Sequence, residues 1–243
     1  MISRGVLQKI GTLMTEEKRK SIRDTLITKA ENSKLALAPF KLIDEINLEY
    51  FEGYLRRVDG YAGPLSLQHW TDHLVTKTLL EDPQVSGSVL DVGCFTCEIG
   101  VILKQQKPDI SLTLVDPCEV ALEHGLRHIQ EHNIKDVHLI WSQGELLPFI
   151  GKYFDACYCS HVLEHIEDAL VVIQEIGRVL KENGILYIFV PHEHSYDEQT
   201  HVHYWTLEEF VEYISPVCNV LESKVEQDQI VVKCSFIKEE VNA

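Results

Sequence analysis

Short apolar runs alternate with amphipathic segments along the chain after Pro83. Each run has the length of a buried strand, and the segments between the runs carry apolar residues at helical spacing. This alternation is typical of βαβ units that build a mainly parallel sheet. The runs predicted as strands are 88–92, 111–116, 137–141, 154–160, 185–190, 217–225 and 230–237. The predicted helices are 98–106, 119–132, 169–181 and 207–214.

The last two apolar runs meet at Gln227-Asp228-Gln229, a polar stretch short enough for a hairpin. A hairpin makes its two strands antiparallel, whereas helical crossovers make strands parallel. We therefore predict an α/β fold with a seven-stranded, mainly parallel sheet and an antiparallel last strand.

Residues 15–82 have a different, helical pattern without a predicted strand. Apolar residues recur at helical spacing near Tyr50 and again near Leu74, and the glycine-containing segment 59–64 separates the two parts. We predict an N-terminal helical arm and lid at 1–82 and the α/β domain at 83–243. The arm, especially 13–37, could pack against a second subunit, which leaves a homodimer open.

Composition is that of an ordinary folded protein. The 243 residues are 45% hydrophobic and 25% charged, and nowhere are 18 consecutive residues apolar. Residues 1–20 lack the apolar run of a signal peptide, and the cysteine count of seven is odd. We expect a cytoplasmic protein with reduced thiols and no membrane partner.

The charge balance bears on the class of substrate. The formal net charge is −16, so the surface repels polyanions. Nucleic-acid binding usually depends on clustered Lys and Arg, and we therefore favour a small-molecule partner over a nucleic acid.

Polar residues and glycines follow the predicted strands at the points where the strands end. In an open α/β sheet, ligands bind outside the carboxyl ends of the strands. The residues at these ends are Gly93, Asp116, Gln143-Gly144-Glu145, Ser160-His161 and His192. Their common position predicts a ligand site along one edge of the sheet.

Several motifs within 87–210 have a specific order and spacing. They are 89–94 (VLDVGC), 114–116 (LVD), 144–149 (GELLPF), 154–156 (FDA), 160–165 (SHVLEH) and 178–186 (RVLKENGIL). Together they resemble the class I S-adenosylmethionine-dependent methyltransferases, and in particular the small-molecule enzymes of the methyltransferase type 11, ubiquinone-biosynthesis-like group. The resemblance implies a Rossmann-like, doubly wound fold and the cofactor S-adenosyl-L-methionine.

The resemblance also implies which residues hold the cofactor. Asp91 would help to hold the methionine ammonium group, and Asp116 has two acceptor oxygens suited to the ribose diol, although a helix N-cap is the alternative for Asp116. Phe95 and Cys97 stand where the family usually has its second and third glycines. The implied cofactor-binding residues are Asp91, Gly93, Cys94, Phe95, Asp116, Pro117, Gln143, Gly144, Glu145, Ser160 and His161.

The implied reaction moves a methyl group to an oxygen or nitrogen of a small molecule. An acceptor with a high pKa needs a base, and histidine is suited to that task near neutral pH. Our hypothesis is that His165, His192 or His201 is the base. A role as a surface histidine is the alternative for each of them.

Several other interpretations stay open. The set His161-x-x-Glu164-His165 and His201-x-His203 is similar to the metal site of small-RNA 2′-O-methyltransferases, so a metal-dependent enzyme of that kind is an alternative, although our site assignment contains no metal ligand. A solvated helix start is the other reading of Glu164. A binding protein without transfer activity and a nicotinamide dehydrogenase are further alternatives. The pair Cys94-x-x-Cys97 also invites a zinc or redox role.

Overall fold

A computed structural model of the chain describes residues 70–193 and 201–237. Its helices are α1 (Leu74–Glu81), α2 (Glu98–Gln106), α3 (Glu119–Glu131), α4 (Ala169–Val179) and α5 (Leu207–Ile214), with a 3-10 helix at Leu163–His165. Its strands are β1 (Ser88–Val92), β2 (Ser111–Asp116), β3 (Val137–Trp141), β4 (Phe154–Ser160), β5 (Leu180–Pro191), β6 (Cys218–Glu226) and β7 (Gln229–Phe236).

The seven strands form one sheet in the order β3-β2-β1-β4-β5-β7-β6. Strands β1 to β5 pair in parallel, and β7 is antiparallel to both β5 and β6. The predicted mainly parallel sheet with an antiparallel last strand is confirmed. The hairpin turn contains only Gln227 and Asp228, both with a left-handed backbone at φ 49° and 58°, and is one residue shorter than predicted.

Strand β5 begins at Leu180, five residues before the predicted start, and α4 ends at Val179 rather than at 181. Leu180 pairs with Phe154, and the register then shifts before Ala156 pairs with Ile185. The irregular residues between these pairs are polar and have no two-residue periodicity. The sequence pattern therefore showed only the regular, fully buried part of the strand.

Each face of the sheet is covered by helices with one apolar side. In α4 the buried residues recur every three or four positions. They are Ala169, Val172, Ile173, Ile176 and Val179. They pack in one core cluster with Phe210 of α5, whereas Leu103 of α2 and Leu122 of α3 belong to a second cluster. The two clusters are the cores on the two faces of a doubly wound sheet.

Helix α1 lies on the N-terminal side of the predicted boundary at residue 82 and packs into the second core cluster through Leu74, Val75 and Leu79. Asp82, which follows it, forms a 2.6 Å ion pair with Lys233 of β7. The rest of the predicted arm and lid lies outside the described residues. None of the helices in the described ranges combines the length and the apolar character needed to cross a lipid bilayer.

The order of the strands determines where a ligand can bind. From β1 the chain proceeds through β2 to β3 on one side, and β4 returns to the other side of β1. The carboxyl ends of β1 and β4 therefore flank the point where the strand order reverses. A crevice forms at such a point, because the connections leave the two strands in opposite directions.

Candidate functional site

The loop after β1 turns sharply at Gly93. The backbone N–H groups of Gly93 and Cys94 both donate to the carbonyl oxygen of Val115, at 2.8 and 3.0 Å. Gly93 has φ +81°, and a Cβ atom there would lie 2.2 Å from Cγ2 of Val162. Only glycine fits this position without displacing Val162, and the backbone is thus held close to the ends of β2 and β4.

Phe95 and Cys97 both have a left-handed backbone, with φ 46° and 71°. These are the positions at which the family resemblance implies glycine, and they adopt the conformation that glycine reaches most easily. Such a conformation costs about 1–2 kcal/mol for a residue with a side chain. Gly125 of α3 makes room for Cys97, because a Cβ atom on Gly125 would lie 2.3 Å from the Cys97 sulfur.

Asp116 connects the loop to the end of β2. Its Oδ2 accepts a hydrogen bond from the backbone N–H of Phe95 at 2.8 Å, and its Oδ1 accepts one from Cys118 at 2.7 Å. The N-cap of α3 is Cys118, so Asp116 is not the helix cap that we considered as an alternative. Each carboxylate oxygen keeps a further lone pair for a ligand.

The carboxyl group of Asp116 is 5% exposed. Burial raises its pKa to about 6, against the opposing effect of the two backbone hydrogen bonds. Asp91, 3% exposed, lies on β1 beside Tyr158 of β4. Burial raises the pKa of Asp91 well above its ordinary value, the neighbouring Tyr158 hydroxyl opposes the shift, and the charge of Asp116 adds to it. Two buried acids at neighbouring strand ends fit a ligand that brings a cation and hydroxyl donors.

The thiols of Cys94 and Cys97 lie 3.7 Å apart within the same loop. Burial raises the pKa of both thiols above the ordinary value. A zinc or redox site needs the thiolate form, which this environment disfavours. All seven cysteines, including Cys157 and Cys159 of β4, are buried.

The loop after β3 lies beside Pro117. The indole N–H of Trp141 donates to the carbonyl oxygen of Pro117 at 2.7 Å, so the ends of β2 and β3 are linked. Gly144 is buried against α4, where an added Cβ would lie 3.0 Å from Val172. Gln143 and Glu145, on either side of it, are exposed. The loop is therefore anchored by Gly144 and presents the neighbouring side chains outward.

Strand β4 ends at Ser160, and His161 follows with a left-handed backbone at φ 54°. Nε2 of His161 lies 3.0 Å from Oε1 of Gln229, and Nδ1 lies 3.3 Å from Oε1 of Glu164. Burial lowers the pKa of His161, but the hydrogen bond and charge of Glu164, with the Gln229 contact, raise it above its ordinary value. His161 is thus held between β7 and the 3-10 helix.

A cluster of Glu164, His165 and His201 lies next to His161. The ligand-type atoms of the three side chains all lie within 4.8 Å of one another, and the rings of His165 and His201 are 4.7 Å apart. Glu164 is 1% exposed, so the solvated helix start that we considered for it is wrong. The neighbouring Leu163 is fully buried.

The other histidines of the region are placed separately. His192 follows β5, where its backbone N–H donates to the carbonyl oxygen of Asp228 at 3.0 Å and a bridge pairs it with Trp205. The His203 ring stacks on Trp205 at 4.6 Å, and its Nε2 lies 3.0 Å from the carbonyl oxygen of Ile166. His194 lies outside the described residues.

Sequence reasoning missed three residues that support this site. Tyr158 reaches Asp91, Gln229 reaches His161, and Gly125 accommodates Cys97. Each contact joins residues far apart in the chain. The contacts of Tyr158 and Gln229 follow from the pairing of β1 with β4 and of β5 with β7. They could not be predicted, because strand order is not visible in a local pattern.

Comparison with known proteins places this geometry in a family context. Residues 90–188 match the family model described as a methyltransferase domain. A demethylmenaquinone methyltransferase of Listeria monocytogenes is 31% identical over 104 residues, which cover 42% of the chain and 44% of the relative. A ubiquinone biosynthesis O-methyltransferase of Haemophilus ducreyi is 30% identical over 108 residues, covering 41% and 43%. The chain thus spans less than half the length of these relatives.

A solved structure from Methanococcus maripaludis, assigned as an S-adenosyl-L-methionine-dependent methyltransferase, has the same fold. It superposes with a TM-score of 0.58 at 17% identity, covering 69% of this chain and 85% of the other. The matched residues 90–188 contain β1 through most of β5, together with Asp91, Asp116 and Glu164. Residues 90–188 are therefore similar to a methyltransferase domain, and they lie in a Rossmann-like fold that a solved methyltransferase structure shares.

Proposed function

We propose that this chain is an S-adenosylmethionine-dependent methyltransferase that acts on an oxygen or nitrogen of a small-molecule acceptor. The observation that carries the proposal is the pair of buried acids, Asp91 and Asp116, on either side of the Gly93 loop. A buried carboxylate is unfavourable unless a cation or hydrogen-bond donors compensate it. S-Adenosylmethionine provides both, through its ammonium group and its ribose hydroxyls.

Each part of the cofactor has a candidate partner along the sheet edge. Asp91 would hold the ammonium group, and Asp116 would accept the ribose hydroxyls with its remaining lone pairs. Helix α2 begins at Glu98, and its N-cap residue Cys97 makes no side-chain cap, so the first N–H groups of the helix suit the methionine carboxylate. Gln143 and the loop around Gly144 would contact the adenine edge, beside Pro117. Ser160 and His161 would face the methionine portion.

The acceptor would enter beside the histidines that follow β4 and precede α5. When bound, S-adenosylmethionine supplies an electrophilic methyl group on a sulfonium, and its S–CH₃ bond breaks as the acceptor bond forms. The residues around it align the acceptor and exclude water. An imidazole of His165, His192 or His201 would take the proton from a hydroxyl or N–H acceptor. His165 and His201 are half-buried and in contact, which favours them for that role.

The relatives support a small acceptor. One is named for demethylmenaquinone, and the other is named as an O-methyltransferase of ubiquinone biosynthesis. Quinone precursors are ring-bearing molecules with oxygen substituents. A net charge of −16 disfavours a nucleic-acid acceptor by repulsion. Oxygen on a small ring compound is therefore the acceptor we favour.

The test has a binding step and a transfer step. Calorimetry with S-adenosylmethionine, S-adenosylhomocysteine and NAD measures which ligand binds, with an Asp91→Asn variant as the loss-of-site control. Transfer of an isotope-labelled methyl group to a panel of phenols, catechols and hydroquinones then measures activity. We expect binding of the first two ligands, weaker binding by Asp91→Asn, and label on an oxygen-bearing acceptor.

Each alternative predicts a different outcome of that experiment. Binding of both sulfur ligands without label transfer to any acceptor would identify a cofactor-binding protein without activity. Binding of NAD in place of S-adenosylhomocysteine would identify a dehydrogenase and overturn the proposal.

The acid–base step has its own test. Alanine substitutions at His165, His192 and His201 are made singly and together, and turnover is measured with the acceptor from the screen. We expect the triple variant to lose activity by about 100-fold or more, the usual contribution of a positioned base. Turnover within about threefold of the unmodified chain would remove acid–base catalysis by these histidines.

A further inference from the structure

The carboxylate of Glu164 is buried beneath the loop that follows β4. It is 1% exposed, and Oε1 lies 3.3 Å from Nδ1 of His161 and 3.9 Å from Nε2 of His165. Among the described residues, no other donor hydrogen-bonds either carboxylate oxygen. A buried carboxylate in such surroundings needs a positive partner, since desolvation of an isolated charge is strongly unfavourable.

Two imidazoles converge on the same point as this carboxylate. Each of these three side chains has one carboxylate oxygen or ring nitrogen that could bind a metal ion. The three atoms, from Glu164, His165 and His201, lie within 4.8 Å of one another. The rings of His165 and His201 meet edge to face at 4.7 Å. Two protonated rings at this separation would repel each other, whereas two neutral rings can both offer a lone pair to one cation.

The backbone holds the two segments of the cluster together. The N–H of Val202 donates to the carbonyl oxygen of Glu164 at 2.8 Å, and the N–H of His203 donates to the same oxygen at 3.3 Å. The capping box of Thr206 and Glu209 then fixes the start of α5 just beyond. His201 is therefore positioned against Glu164 by backbone bonds, as a preorganised ligand set requires.

We propose that Glu164, His165 and His201 bind a divalent transition-metal ion. Two imidazoles and one carboxylate favour ions such as Zn²⁺ or Co²⁺ over Mg²⁺ and Ca²⁺, which prefer oxygen ligands. Three protein ligands leave coordination positions open, as in catalytic zinc sites. His161, whose Nδ1 lies 3.3 Å from Oε1 of Glu164, would hold the carboxylate in place for the ion.

Small side-chain rotations complete the ligand geometry. Bonds from zinc to nitrogen and oxygen are about 2.0–2.2 Å long, so neighbouring ligands of one ion lie about 3.3 Å apart. The three atoms lie within 4.8 Å of one another, so rotations that bring them closer by up to about 1.5 Å produce a binding geometry. If the proposed function holds, the open positions would face the acceptor and polarise its oxygen. With the ion bound, His165 and His201 use their lone pairs as ligands, so His192 would be the remaining candidate for the base.

The test measures metal binding directly, apart from turnover. The metal-free protein is titrated with CoCl₂ and followed by the visible d–d absorption of bound cobalt. Zn²⁺ and Mg²⁺ are then titrated by calorimetry. The variants are Glu164→Gln and His201→Ala, with His203→Ala as the matched control, because His203 lies two residues from His201 but contacts Trp205 instead.

Other histidines and cysteines require a background variant. His128 and His132 lie one turn apart on α3 with rings 6.5 Å apart, and such a pair can bind metal by itself. All titrations are therefore repeated in His128→Ala/His132→Ala. Binding at Cys94 and Cys97 would be recognised by a near-ultraviolet thiolate-to-cobalt band. Thermal melting and S-adenosylhomocysteine affinity of each variant show that its fold and cofactor site are intact.

We expect one equivalent of Co²⁺ or Zn²⁺ at micromolar affinity, with Mg²⁺ at least 100-fold weaker. Glu164→Gln and His201→Ala should each weaken Co²⁺ binding at least 100-fold, while His203→Ala and the α3 variant retain it. Any of three results would overturn the site. They are unchanged Co²⁺ affinity in Glu164→Gln, loss of the bound equivalent of metal in the α3 variant, and a cobalt spectrum that shows only the thiolate band. Metal binding without S-adenosylhomocysteine binding would leave this site standing and overturn the proposed function instead.

Discussion

The backbone N–H of Phe95 donates a 2.8 Å hydrogen bond to Oδ2 of Asp116. The bond joins the loop after β1 to the end of β2, and it forms because Phe95 adopts a left-handed backbone. The same carboxylate fixes the start of α3 through Cys118. One buried acid therefore organises the two loops that flank the proposed cofactor site.

Asp116→Asn tests the role of this carboxylate in ligand binding. The substitution removes the charge and replaces one acceptor oxygen by a donor, so one of its two backbone hydrogen bonds is lost as well. Because hydrogen bonds to charged groups are worth about 1.5–3 kcal/mol, we expect S-adenosylhomocysteine to bind about 10- to 100-fold more weakly. Calorimetry measures the change. Asp109→Asn, an exposed position outside the site, is the matched control and should leave affinity unchanged.

Ligand affinity should depend on pH with a defined sign. Burial raises the pKa of unliganded Asp116 to about 6, and ribose hydroxyls donate to the ionised form. Binding therefore lowers this pKa and releases a proton below pH 6, so affinity is constant at higher pH and falls as pH decreases. Asp91 acts in the same direction because its pKa is also raised.

We expect the dissociation constant for S-adenosylhomocysteine to rise up to about tenfold per pH unit below pH 6, as Asp116 takes up a proton. Calorimetry between pH 5 and 8 measures this, with circular dichroism confirming the fold at each pH. Asp116→Asn should flatten the profile. An identical profile in that variant would show that Asp116 does not control the dependence.

Because Gly93 lies against Val162, we predict that substitutions at these two positions have non-additive effects on the free energy of unfolding. Gly93→Ala places a methyl group 2.2 Å from the Val162 side chain at φ +81°, and both effects are unfavourable. We expect a loss of about 1–3 kcal/mol in the free energy of unfolding. Urea unfolding measures it. The double variant with Val162→Ala should lose less than the sum of the two single variants, since the shorter side chain removes the clash.

The contact between Gly125 and Cys97 predicts that the effect of Gly125→Ala on the free energy of unfolding changes sign when Cys97 is replaced by glycine. Glycine to alanine inside a helix normally stabilises by about 1 kcal/mol, but Gly125→Ala would place its Cβ 2.3 Å from the Cys97 sulfur. We therefore expect Gly125→Ala to destabilise the chain, and Cys97→Gly to relieve the left-handed strain at residue 97. In the Cys97→Gly background, Gly125→Ala should become stabilising. Urea unfolding of the four proteins tests this, and destabilisation in both backgrounds would contradict the packing argument.

Much of the fold could be predicted because local patterns reflect local structure. Buried strands require apolar runs and packed helices require apolar stripes, so β1 to β4, α2 and α5 appeared with their observed boundaries. The start of β5 was missed because its first residues are polar and irregular. The line of polar residues at the strand ends was also visible, because parallel strands bring their carboxyl ends to one edge.

The sequence by itself determined the periodicity, the parallel sheet and the residues available at its carboxyl edge. Only the tertiary structure decided that Tyr158 meets Asp91, that Gly125 accommodates Cys97, and that His201 lies against a buried Glu164. These contacts depend on strand order, register and the course of the segment before α5. Such long-range contacts form only when the whole core packs, and therefore no local pattern encodes them.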